Sequence, residues 1–297
     1  MKKLLYTFLF TAFVLLNTTA VNASSEVYYT NREGIQMTQA EYNNLLSVGF
    51  TERQINRMDY DTFIENKDIE GTLLSEVGTY VKTTTVMRNG IQYHSSEILT
   101  EEEMLEEVAR NKEQPTRYAS GSYYDGLAYD TYKYVVTRIA NISDEYMRYK
   151  VDTDWLQIPS IRSYDIMGIG MEASKVQLAT TIFFRQDWQT SSGTFGYGTG
   201  CYPKEQTTGA SVMFKLPTGS LQQLESYAYY NVSKRSGVGT ITSLTASGDY
   251  AHATTNVTDA AYNYFSINYV TGLVISSPYH NSYDDMSISQ AMFLGTW

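Results

Sequence analysis

His94, His252, His280, Cys201 and a few paired acids are the residues of this chain whose types could do chemistry. No two histidines fall at the i,i+2 or i,i+4 spacing that lets one element present a pair to a metal. His94 sits in a strand-like stretch and reads as a solvated strand side chain. His252 and His280 lie near Asp249 and Asp284 in sequence. Cys201 upstream of two histidines has the chain order of several cysteine peptidases. Those enzymes launch the thiol from a helix N-terminus, which lowers its pKa. Gly198-Thr199-Gly200 and Tyr202-Pro203 flank Cys201 and begin no helix, so it reads as a free, partly buried thiol. A serine nucleophile would sit in a Gly-x-Ser-x-Gly elbow, and the chain has none.

Two acidic clusters remain. Asp152-Thr153-Asp154 and Asp284-Asp285 are spaced to aim carboxylate oxygens at one point from a loop, as a hard cation requires. Asx turns are the ordinary use of such aspartates. The acids of 101–107 suit the positive end of a helix dipole rather than catalysis. The sequence therefore assigns no catalytic, cofactor-binding or metal-ligating residue, and implies no cofactor. A glycosidase pair could be drawn from many acids, so that signal selects none. The 27 tyrosines are more distinctive. Tyr123, Tyr124, Tyr129, Tyr132 and Tyr134 crowd one stretch, and Tyr227, Tyr229, Tyr230, Tyr262, Tyr264 and Tyr269 follow in strand-like segments. Rings on an outer sheet face could stack on sugars or anchor a protein, while core filling is their commoner use.

The elements that must position these residues fall into two parts. Thr38 and Glu41 form a capping box, as do Thr51 and Gln54, with Phe50 and Ile55 as a hydrophobic staple. Asp59 or Asp61 can cap a third turn carrying Phe63 and Ile64. Asn89-Gly90 between two alternating stretches signals a type I′ hairpin over 77–99. Leu99 to Met104 repeats box and staple ahead of another helix. From 132 onward the pattern gives about nine short strands with turn residues between them and no crossover helices, which predicts antiparallel pairing. Tyr146, Arg148 and Lys150 alternate with Met147, Tyr149 and Val151. A strand is expected over 176–184, a surface loop over 190–200 and a strand over 261–270. The fold class is mainly β, an antiparallel β-sandwich or jelly-roll with a small α+β N-terminal region. The expected boundaries are a signal peptide at 1–23, a short helical bundle at 24–75, a hairpin plus helix at 76–115, a linker at 116–130 and the sandwich at 131–297.

Lys2 and Lys3, the apolar run from Leu4 to Leu16, and Val21-Asn22-Ala23 have the anatomy of a secretory signal cut after Ala23. The apolar run is shorter than a bilayer span, so no stable membrane span is expected in the cleaved form. A net charge of −10 excludes nucleic acid as a natural partner, since phosphate backbones are bound through Lys and Arg. One cysteine permits no internal disulfide.

Trp155 to Asp165, Phe214-Lys215-Leu216-Pro217, Tyr283-Asp284-Asp285-Met286 and Glu41 to Leu45 together carry a resemblance. The chain is similar to uncharacterised secreted β-rich proteins of Gram-positive bacteria. That resemblance implies lineage and export and no activity, and it gives no residue a role. The function expected is non-enzymatic binding of a glycan, cell-wall or protein partner outside the cell. A carboxylate-dependent wall or glycan hydrolase, and a β-structured pore-forming protein, are the alternatives.

Overall fold

The computed structural model describes residues 26–113, 128–284 and 289–297. The signal peptide read over 1–23, residues 116–127 of the linker, Tyr123, Tyr124 and Asp285 lie outside the described residues, as does the side chain of Tyr129.

The N-terminal part begins with a two-stranded ribbon, β1 (Tyr29–Thr30) and β2 (Gln36–Met37), and continues through α1 (Gln39–Ser47), α2 (Glu52–Arg57) and α3 (Tyr60–Asn66). Each helix starts where its cap was read. The Thr38 and Thr51 hydroxyls accept from the amides of Glu41 and Gln54, whose side chains return to the cap amides. Asp59, rather than Asp61, caps α3 by accepting from the Thr62 amide.

A long hairpin follows, β3 (Thr72–Arg88) and β4 (Ile91–Leu99), turning at Asn89 and Gly90, both at positive φ as a type I′ turn requires. Then come α4 (Glu101–Glu113), β5 (Ala128–Asn141), β6 (Tyr146–Trp155), β7 (Tyr164–Met171), β8 (Val176–Leu178), β9 (Phe183–Thr190) and β10 (Phe195–Gly198). The chain ends with β11 (Tyr202–Gln206), β12 (Gly209–Lys215), β13 (Leu221–Lys234), β14 (Ser243–Ala251), β15 (Phe265–Asn268), β16 (Gly272–Ile275) and β17 (Ser289–Leu294).

All pairings are antiparallel. The larger sheet runs β10-β9-β13-β6-β5-β3-β4, with β8 also on β13, and the smaller runs β11-β12-β7-β14-β17. Their facing sides supply one apolar core, in which Val135, Ile139, Tyr149 and Val151 meet Met167, Ile169, Val212, Phe214, Leu244 and Tyr250. The expected β-sandwich is the observed architecture. The hairpin read as a region ahead of the sandwich belongs to it, because β3 pairs with β5 along fourteen register positions from Thr72↔Asn141 to Val86↔Ala128.

Both outer faces are covered. Leu45, Val48, Phe50, Ile55, Met58 and Phe63 from the helical part pack with Tyr227 and Tyr229 of β13. On the other side the β15–β16 hairpin brings Phe265, Ile267, Leu273 and Ile275 against Ile166, Met213 and Ala251. Glycines in β7 permit that approach. A Cβ on Gly170 would lie 2.6 Å from the Tyr269 backbone, and one on Gly168 would lie 3.0 Å from Ile267 and Leu273.

Three sequence readings are corrected. The strand expected over 176–184 is two short strands, β8 and β9, separated by a break. The segment 190–200, expected as a surface loop, contains β10, which pairs with β9 from Phe195↔Gln189 to Gly198↔Gln186. Its glycines looked like low complexity, yet Gly196 lies under the Trp188 ring where a Cβ would come within 2.6 Å of the indole. Of the expected strand 261–270, residues up to Tyr264 form a 3-10 turn, and only Phe265–Asn268 is strand.

Candidate functional site

The outer face of the larger sheet carries charge. β6 points Arg148, Lys150, Asp152 and Asp154 outward, and β9 points Arg185 and Asp187 the same way. Register aligns Asp187, Glu225 and Asp154 as direct neighbours on β9, β13 and β6, a row of three carboxylates across three strands. Like charges directly opposite one another are unfavourable unless neutralised. The neutralising groups come from the helices. Arg53 Nε lies 2.6 Å from Glu225 and its Nη2 bonds Asp154, while Arg57 reaches Glu225 at 3.3 Å. Arg185 bonds Asp187 at 2.9 Å and also Asp59, the cap of α3.

One step along the strands, Asp152 accepts from Arg138, Lys150 and Gln54. Burial opposes its ionisation, but Lys150 and Arg138 outweigh it and hold the carboxyl below its ordinary value. Burial pushes Lys150 down to about 8 against the pull of Asp152. Glu225, closed in beneath the guanidinium of Arg53, is lifted by burial to about 7. The alternation seen in the sequence is thus real, but the polar face lies beneath helices rather than in water. Asp152 and Asp154, whose spacing in the sequence suits a loop or an Asx turn, are instead both in β6, and both pair with cationic side chains.

Where this layer reaches the sheet edge it opens into a cleft of about 500 Å³, lined by Arg32, Arg57, Arg185, Asp187, Phe195 and Tyr197 among others. The Arg32 guanidinium stacks on Phe195 at 3.2 Å from the ring centre, and Arg185 lies 4.2 Å from that of Tyr197. A neighbouring cleft of about 530 Å³ lies by Gln36, Asp59 and Tyr60, and Glu33 borders both. The turn between them is braced. Asn31 donates to the Ile55 and Met58 carbonyls at 3.2 and 2.9 Å and accepts from the Ile35 amide, while the Arg32 amide donates to Asn56. Gly34 supplies the positive φ, 80°, that the turn needs.

A second polar cluster is sealed inside the sandwich. His252 Nδ1 lies 3.0 Å from Asp165, which also accepts from the Tyr250 hydroxyl at 2.6 Å. Lys133 and Asp284 pair at 2.5 Å, both fully buried. His252 Nε2 is buried without a hydrogen-bond partner among the described residues, and the Trp155 ring stands edge-on 4.8 Å away. The His–Asp contact has the geometry of a general base and its orienting acid, but His252 has no exposed surface. Cys201 is not among its hydrogen-bond partners, and burial raises that thiol to about 11, the opposite of an activated nucleophile.

The other residues singled out in the sequence are dispersed. His280 is exposed and faces the Ile275 carbonyl at 3.3 Å, so it does not join His252. His94 is half-buried on β4 with its Nδ1 3.0 Å from the Thr85 hydroxyl, rather than solvated. Asp249, the sequence neighbour of His252, is on the opposite face of β14 and accepts from the Tyr250 and Leu273 amides at 2.7 and 2.8 Å. Asp284 serves Lys133 and the His252 amide and closes no turn. Of the tyrosines, Tyr132, Tyr227, Tyr229 and Tyr230 are buried, whereas Tyr264 and Tyr269 keep surface. No group of three metal-ligating side chains converges among the described residues.

Sequence reasoning missed Arg32, Arg57, Arg185, Asp187 and Glu225. The one available signal was opposite charges two residues apart within strand-like runs, Arg185 with Asp187 and Lys150 with Asp152.

No family model matches the chain, and no curated protein matches it. Among solved structures, one titled BspA_C_WT is similar at 7% identity and a TM-score of 0.27, covering 59% of this chain and 80% of that one. A likeness of that size carries no argument about function.

Proposed function

We propose that this chain is an exported, non-enzymatic binding protein, and that it meets its extracellular partner through the two clefts on either side of the Asn31–Ile35 turn. The observation that carries the reading is the composition of that surface. Each cleft carries one exposed tyrosine, Tyr60 at 63% and Tyr197 at 50%, beside charged side chains already fixed by stacking or ion pairs. Concave sites with a few oriented polar groups and open rings are built for recognition. Export, with a cut between Ala23 and Ser24, is supported by the sequence pattern of residues 1–23.

Protein purified from culture supernatant and immobilised should retain cell-wall polymer, glycan or a secreted protein, and a Tyr60→Ser, Tyr197→Ser double variant should lose that retention. Failure to retain any of the three overturns the reading. N-terminal sequencing of the same material should begin at Ser24.

The hydrolase reading draws on the Asp187–Glu225 neighbours, since directly opposed strand residues sit about 5 Å apart, the spacing of a retaining glycosidase pair. Burial raises both carboxyls. Opposing it, each is capped by a guanidinium and has almost no exposed surface. Release of reducing sugar from wall preparations by the wild type, abolished in Glu225→Gln, would favour hydrolysis over binding.

A further inference from the structure

We infer that the paired clefts take a glycan in which sugars bearing a ring carboxylate alternate with neutral ones, and that Arg32 reads the carboxylate. The inference rests on the binding reading above and names its ligand class.

Arg32 stands apart from the other cations on this side of the molecule. Arg53, Arg57 and Arg185 are each committed to carboxylates of the chain itself. Arg32 makes no ion pair among the described residues, yet it is not loose: its guanidinium lies 3.2 Å from the centre of the Phe195 ring and its own amide is tied to Asn56. Stacking uses the flat face of a guanidinium and leaves its edge free. That edge is a planar fork of N–H donors matched to both oxygens of a carboxylate. In a chain of net charge −10, one oriented and unneutralised arginine in a cleft is a local positive site on a repelling background.

The surroundings select the rest of the ligand. Tyr60 and Tyr197 lie in different clefts, and Arg185 behind Tyr197 braces one side of that ring, leaving the other for a sugar to stack on. Glu33 borders both clefts, and with Gln36 and Asp59 it offers acceptors to sugar hydroxyls. Glu33, which no ion pair among the described residues neutralises, would repel a second carboxylate from either cleft, so a polymer acidic at every unit is disfavoured. An acidic peptide fits less well. Peptides recognised by strand addition need a run of open main chain with pockets for alternate side chains. β10 is four residues long, and only Phe195 and Tyr197 turn their main-chain groups away from β9 toward the open edge.

Calorimetric titration tests this with three probes: an unsulfated oligosaccharide alternating uronic acid and neutral sugar, the same oligosaccharide with its carboxyls reduced to alcohols, and a poly-glutamate peptide. Wild type, Arg32→Gln and Arg32→Lys are compared, with thermal unfolding confirming that each is folded, as an exposed side chain permits. The uronate probe should bind, its reduced form should bind about tenfold or more weakly, and Arg32→Gln should no longer distinguish the two. Arg32→Lys keeps the charge without the fork and should recover only part of the affinity. Equal binding of the reduced probe, undiminished binding by Arg32→Gln, or preference for poly-glutamate overturns the carboxylate inference. If the pull-down retains a partner while the uronate probe fails, only this inference falls. If the pull-down retains nothing, the binding reading falls with it.

Discussion

Replacing Glu225 by Gln removes a titrating group from the centre of the carboxylate row while keeping its shape and one acceptor oxygen. Burial raises the folded-state pKa of Glu225 from 4.5 to about 7. An acid whose folded pKa lies above its unfolded one binds more protons when folded across that interval. Its contribution to stability is full below about pH 4.5 and is lost as pH rises through about 7. Each such proton changes the unfolding free energy by about 1.4 kcal/mol per pH unit, so the whole interval is worth roughly 3 kcal/mol. The Gln variant does not titrate there. Urea unfolding of both proteins at half-unit steps from pH 4.5 to 8.5 should therefore show wild type losing roughly 3 kcal/mol relative to Glu225→Gln. Taking the difference cancels titrating groups that do not interact with Glu225, such as Asp249. A gap that stays constant with pH would refute the reasoning, as would one that widens in favour of wild type. Glu225→Ala behaves differently, because it leaves Arg57 unpaired in a buried site and should destabilise by about 3 kcal/mol near neutrality.

Asp249→Asn leaves one acceptor oxygen where the carboxylate served two amides, so the Leu273 amide should exchange its hydrogen faster while amides in β7 are unchanged. Gly170→Ala forces a Cβ against the Tyr269 backbone at 2.6 Å and should cost about 1–3 kcal/mol by urea unfolding. Cys201, with its thiol pushed up to about 11, should react with iodoacetamide at pH 8 on the order of a hundredfold more slowly than a free cysteine, and at the free rate once unfolded.

What was legible in the sequence is what depends on neighbours in the chain. The boxes at Thr38/Glu41, Thr51/Gln54 and Thr100/Glu103, and the Asn89-Gly90 turn, are settled within four residues, and each formed as read. The core face of β6 was legible too, because Met147, Tyr149 and Val151 alternate. The cover over its opposite face was not legible: nothing local shows that α2 covers Lys150 and Asp152. That cover is made by contacts such as Gln54 to Lys150, 96 residues apart, and Arg53 to Asp154, 101 apart. The cleft joins residues 32, 57 and 185–197, and the buried base joins Asp165 to His252, 87 apart. Separations of that size are fixed by strand order, which no window of sequence contains. The β9–β10 hairpin was missed because the glycine that lets Trp188 lie flat on β10 looks like filler in the sequence.

Hydrogen exchange of the protein with and without the partner retained in the pull-down tests the central claim most directly. Binding across the clefts predicts new protection confined to amides of residues 31–36 and 194–198, including those of Phe195 and Tyr197, which face the open edge of β10. Protection that falls instead on the far side of the sandwich, over β15–β17 or β11, with 31–36 and 194–198 unchanged, would contradict it.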